Sequence, residues 1–167
     1  MTMGRTRVPE STGGLVQKTS PLAIALVLIV SLVVVGVAGG QNSLRGDITV
    51  VIANIRNAEG NILISLYDEA EGFPKDRSAI IRAAAVPAEP SGQITTVFGD
   101  LPYGDYAIAV LHDEDESQGM TFGAFHLPKE GYCFSNNVKV RFKPPKFKKA
   151  KFSLDGDNVL QTLRMRY

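Results

Sequence analysis

This sequence holds a single cysteine, Cys133, no tryptophan, and only two histidines, His112 and His126. One cysteine cannot form an internal disulfide, and zinc sites built on cysteine pairs are excluded. A hydrophobic core must therefore hold the fold, and 167 residues suffice for one. Also missing are a Gly-rich phosphate loop, H-E-x-x-H, G-x-S-x-G and any internal repeat. A nucleophilic Cys133 would need a base and an orienting group. No local signature surrounds it, so a packed or loop thiol is the simpler reading.

Charge is absent from one long stretch, between Lys18 and Arg45. Inside that gap, residues 21–38, bounded by Pro21 and Ala38, read PLAIALVLIVSLVVVGVA. As a helix rising about 1.5 Å per residue, this run nearly spans a hydrocarbon core about 30 Å thick. Arg5, Arg7 and Lys18 precede it against one acid, Glu10, which places the lead on the cytoplasmic side and the rest outside. Two readings stand. The length favours an uncleaved signal anchor; Gly36, Ala38, Gly39 and Gly40 supply the small residues of a cleaved signal peptide. The expected organisation is a basic tail over 1–20, an anchor or signal peptide over 21–40, a linker over 41–46 and a folded domain over 47–167. That domain would lie in the cell envelope: periplasmic or outside if anchored at the inner membrane, secreted if the leader is cut.

The 9 prolines and 16 glycines are spread as turn punctuation. Between them the apolar pattern is mostly period two. Residues 47–55 alternate Ile48, Val50 and Ile52 with Thr49, Val51 and Ala53, and 61–67 alternate Ile62, Ile64 and Leu66. The five residues 56–60 between them predict an antiparallel hairpin. Residues 79–86 read as a strand, although their alanines also suit a helix, and 92–98 as another. Little polarity on either face of 106–112 predicts a central strand. At 101–106 Pro102 and Gly104 set a turn, and Tyr106 suits a tyrosine corner, its ring buried and its hydroxyl on upstream backbone. Residues 138–143, 150–154 and 163–167 alternate apolar with basic side chains, predicting three strands with one basic outer face. About seven to eight short strands at this spacing make an all-β sandwich.

Residues 41–136 carry 6 basic and 14 acidic side chains, and 137–167 carry 9 basic and 2 acidic. The basic face is a solvated surface or a contact for an anionic envelope component, lipid or polysaccharide. Nucleic acid is not expected, because no aromatic platform interleaves the basic strip.

One loop gathers hard oxygen ligands, reading HDEDESQG from His112. Asp113, Asp115 and Ser117 fall at the first, third and fifth positions of a calcium loop, with Gly119 one place late and no distal carboxylate nearby. An acidic surface turn explains the same residues. His112, Asp113 and His126 would serve a metal-dependent hydrolase, although for zinc no third clear ligand accompanies the histidines. Downstream, Pro128, Gly131, Phe134, Ser135, Asn136 and Asn137 belong to PKEGYCFSNN. There Lys129 and Glu130 are expected at the surface, Tyr132 and Phe134 beneath the loop. Ser135, Asn136 and Asn137 offer side-chain hydrogen bonds to lock it.

LPYGDYA at 101–107, His112-Asp113 and the long run at 128–137 resemble a bacterial family of exported proteins, domain of unknown function 2141. The resemblance implies an immunoglobulin- or transthyretin-like sandwich with no established activity. Asp113 and Asp115 match the first two oxygen ligands of that family's usual loop. The function expected is a non-enzymatic binding or envelope-interaction module without a cofactor. The alternatives are a calcium-stabilised structural module and the hydrolase using His112, Asp113 and His126.

Overall fold

A computed structural model describes residues 44–89, 91–140 and 143–167, with the side chain of His126 outside that description. The apolar run at 21–38 and the boundaries at 20 and 40 lie outside the described residues. Among the described residues no helix is long and apolar enough to cross a membrane.

The domain is mostly β, with eight strands in two sheets. These are β1 Arg45–Ala53, β2 Asn61–Tyr67, β3 Arg82–Pro87, β4 Gln93–Pro102, β5 Gly104–Asp113, β6 Gly131–Phe134, β7 Phe152–Leu154 and β8 Asn158–Arg164. The first sheet has the order β4-β1-β8, and the second has β3-β2-β5-β6 with β7 pairing the start of β5. All pairings are antiparallel except β1 with β8, where Val50 lies opposite Gln161. A parallel pair cannot close through a tight turn.

The period-two pattern sets the inward faces. Ile48, Val50 and Ile52 of β1, Ile62, Ile64 and Leu66 of β2, and Ile108 of β5 are each 0% exposed and share one core. Leu163 and Met165 close it from the β8 side. A fully buried side chain of this size contributes about 1.5–3 kcal/mol, so this shared face dominates the stability. The other face of β5 is also covered. Ala107, Phe134 and Ala150 form a second cluster, with Phe73, Tyr132 and Phe147 packed on it.

Two expectations are corrected. First, residues 47–55 and 61–67 do not form a hairpin: β1 pairs only with β4 and β8, and β2 with β3 and β5. The connection carries the chain from one sheet to the other. Asn54 takes a left-handed φ of 68°, and its side chain donates to the Met165 carbonyl at 2.9 Å. The Ile55 N–H then bonds Gly92 O at 3.0 Å. Alternation gives each strand its faces without naming its neighbour.

Second, the three basic strands do not share a face. Residues 138–140 are not strand, Phe147–Ala150 is one helical turn, and β7 and β8 belong to different sheets. Asn136 and Asn137 hold φ of 59° and 50°, which turns the chain out of β6. Pro144 and Pro145 offer no N–H to a ladder. The lysines of this region gather instead around the connection between 138 and 151.

Candidate functional site

Strand β5 carries His112 and Asp113 at its end, where β2 and β6 flank it. His112 is 0% exposed. Its Nε2 lies 2.8 Å from the Glu59 carbonyl, and its Nδ1 lies 2.8 Å from the Tyr167 hydroxyl. A carbonyl only accepts, so Nε2 carries the hydrogen and Nδ1 accepts from Tyr167. The Tyr167 oxygen in turn accepts the Arg56 N–H at 3.0 Å. Glu114 Oε1 is 3.6 Å from Nδ1, too far to displace the hydroxyl as partner. Arg56 closes the knot from above. Its guanidinium sits 4.4 Å from the centre of the Tyr167 ring and grips Glu114 through two nitrogens, which holds that carboxyl below its usual range. Gly131 is required here, since a Cβ would land on the Tyr167 ring.

Past His112 the chain forms the acidic loop. Asp113 is 2% exposed. Its Oδ2 accepts the Gln118 N–H at 3.0 Å, and its Oδ1 is buried without a hydrogen-bond partner. Asp115 Oδ1 accepts the Ser117 N–H at 3.0 Å, and Oδ2 accepts the Thr121 hydroxyl at 2.7 Å. The Ser117 side chain, the Thr121 hydroxyl and the Ser117 N–H together lower the Asp115 carboxyl to about 2. Ser117 is exposed and turns its hydroxyl to the Gly119 carbonyl at 3.0 Å.

The third carboxylate is Glu130, which was expected at the surface. It is 3% exposed. Its Oε1 accepts the Glu114 N–H at 3.1 Å, and its Oε2 accepts the Thr121 N–H at 2.8 Å. The excursion over 121–129 folds back on itself to deliver it. Phe122 and Pro128 form an isolated bridge, and the Lys129 N–H bonds Thr121 O at 2.9 Å. Burial, with the charge of Asp115 adding to it, raises the Glu130 carboxyl above its usual range. One oxygen from each of Asp113, Asp115 and Glu130 lies within 4.8 Å of the others. Sequence distance hid Glu130; the signal available was a lone acid immediately before a buried Gly-aromatic strand.

The remaining motif residues brace the fold. Tyr106 is 4% exposed, and its hydroxyl donates to the Pro102 carbonyl at 2.7 Å. Ser135 is buried, donating to Ala150 O at 2.6 Å and accepting the Ile108 N–H at 2.9 Å. Asn136 donates to the Lys151 carbonyl at 2.8 Å. Asn137 donates to Thr162 O and accepts the Arg164 N–H, both at 2.8 Å. Phe134 is 8% exposed, inside the second cluster. Cys133 is 2% exposed against Met165 Sδ at 3.4 Å, and burial pushes its thiol up to about 12.

A second concave feature lies where the basic residues gather. An open cleft of about 840 Å³ runs between residues 70–76 and 143–148. Phe73 and Phe147 line it, their ring centres 5.8 Å apart, with Lys75, Lys143, Lys146 and Lys148 around them. All four lysines are exposed.

These elements define a mostly β domain of two sheets, with the acidic loop at the end of β5. The chain belongs to the family described as an uncharacterized protein conserved in bacteria (DUF2141), whose model matches residues 50–162. No curated protein and no solved structure matches the chain.

Proposed function

We propose that this chain is an exported, membrane-anchored module that binds an anionic component of the cell envelope without catalysing a reaction. We read its two sheets as an immunoglobulin- or transthyretin-like sandwich, held to the membrane by residues 21–38. The uncharged run behind Arg5, Arg7 and Lys18 supports that placement. The observation that carries the binding reading is the cleft with four lysines around two phenylalanines. Ammonium groups on flexible stems attract phosphate or carboxylate groups, while the rings accept an apolar or sugar body. The side chains best suited to catalysis are committed elsewhere: both nitrogens of His112 are bonded, and Cys133 is packed as a thiol. That weighs against a hydrolase using His112, Asp113 and His126.

The test uses the full chain in phosphatidylcholine nanodiscs, probed with a soluble anionic polysaccharide and with phosphatidylglycerol vesicles. Binding to one of the two should weaken by about tenfold in the K143E/K146E/K148E variant and weaken as salt rises. Binding to neither, or binding that the variant leaves unchanged, overturns the reading.

A further inference from the structure

We propose that Asp113, Asp115 and Glu130 form a site for a divalent cation, calcium by its chemistry. This inference is independent of the lysine cleft.

Three carboxylates bring an oxygen each within 4.8 Å of one another, which is the spacing of ligands around one ion. Two of the three groups are buried, Asp113 at 2% and Glu130 at 3% exposure. Among the described residues no lysine or arginine pairs with any of the three. Arg56 is committed to Glu114, and Arg77 bonds Gln118. Concentrated negative charge without a counter-charge is costly away from water.

The second observation is independent of the clustering. Asp113 Oδ1 is the only buried side-chain nitrogen or oxygen among the described residues without a hydrogen-bond partner. The fold satisfies every neighbouring oxygen: Asp113 Oδ2, both oxygens of Asp115 and both of Glu130 each accept a hydrogen bond. Leaving one buried carboxylate oxygen bare is unusual and calls for an ion or a proton. The bonds already made aim the carboxylates and leave each oxygen a second lone pair for a metal.

Calcium suits the donor set. It takes six to eight hard oxygens in irregular geometry, so three carboxylates, loop carbonyls and water suffice. Magnesium needs near-ideal octahedral geometry, and zinc would seek nitrogen or sulfur, which His112 and Cys133 do not present here. The site lies where the acidic loop meets the base of the 121–129 excursion. A bound ion would tie these two segments together. The rival is a proton shared between Glu130 and a neighbouring carboxylate.

The experiment uses the full chain in detergent micelles, stripped with chelator and titrated calorimetrically with calcium chloride, then with magnesium chloride at equal ionic strength. Thermal unfolding is followed by circular dichroism. We expect about one calcium per chain, weaker magnesium binding, and Tm raised by at least about 5 °C at a hundredfold excess over Kd. D115N, at an exposed position, should fold and lose at least about tenfold in calcium affinity. E130Q should lose a similar factor, its amide keeping one acceptor oxygen for the Glu114 and Thr121 N–H groups. Absence of both calcium heat and a Tm shift overturns the site in favour of the shared proton. Calcium binding unchanged in both D115N and E130Q also overturns it, because the ion then sits elsewhere.

Discussion

The hydroxyl of Tyr167 donates to Nδ1 of His112 across 2.8 Å, joining a residue three positions past β8 to the end of β5. That one oxygen also accepts the Arg56 N–H, so three segments meet on it. The histidine of the His112-Asp113 pair is thereby buried with both ring nitrogens hydrogen-bonded.

Replacing Tyr167 by Phe keeps the ring stacked under Arg56 and removes only that oxygen. A buried imidazole nitrogen and a backbone N–H lose their partner. The expected loss is about 1–3 kcal/mol in urea unfolding, with the slope unchanged. A change below about 0.3 kcal/mol would mean that water replaces the hydroxyl.

Ser135 presents a sharper case, because its hydroxyl is enclosed. It links the Ile108 N–H of β5 to the Ala150 carbonyl of the one-turn helix. Ser135→Ala leaves the Ile108 N–H unpaired and the Ala150 carbonyl with Asn136 as its donor, and should cost about 1–3 kcal/mol. Hydrogen exchange read residue by residue should show faster exchange at Ile108 first. Unchanged protection there would disprove the link.

Cys133 should be silent toward thiol reagents. Its thiol is buried and pushed up from its ordinary 9.0 to about 12, so native protein at neutral pH should label only as fast as it opens. Labelling rates should rise steeply across the urea transition. Fast labelling of folded protein would place the sulfur near the surface.

The same burial sets an alkaline limit. A group whose folded pKa is raised contributes stability that is complete below its unfolded pKa and is lost as pH rises through the folded one. For Cys133 the window is about pH 9 to about 12. Burial, first among the causes, also raises Tyr67, Tyr106 and Tyr167 above 10.0, so they add to the loss in the same direction. Stability should fall progressively above pH 9, and absorbance should show those phenols ionising late. A flat profile to pH 12 would contradict this.

The strands were legible where one face is greasy and the other is not. Ile48, Val50 and Ile52 alternate in the sequence and are all 0% exposed. Their neighbours were not legible, because β1 finds its parallel partner far downstream, and no local turn encodes that choice. The acidic loop announced Asp113 and Asp115 by spacing. Glu130 was hidden because its burial depends on the folded-back excursion, whose rungs join Thr121 to Lys129 and Phe122 to Pro128. The lysine-rich stretch misled because alternation alone does not register the two left-handed asparagines before it or the two prolines within it.

The place of β1 between β4 and β8 also bears on the order of assembly. β1 precedes β8 along the chain and is synthesised before it. Until β8 arrives, one flank of β1 offers bare amides and carbonyls, and the main core lacks Leu163 and Met165. A nascent polypeptide of this design cannot complete its main core until its last strand is supplied.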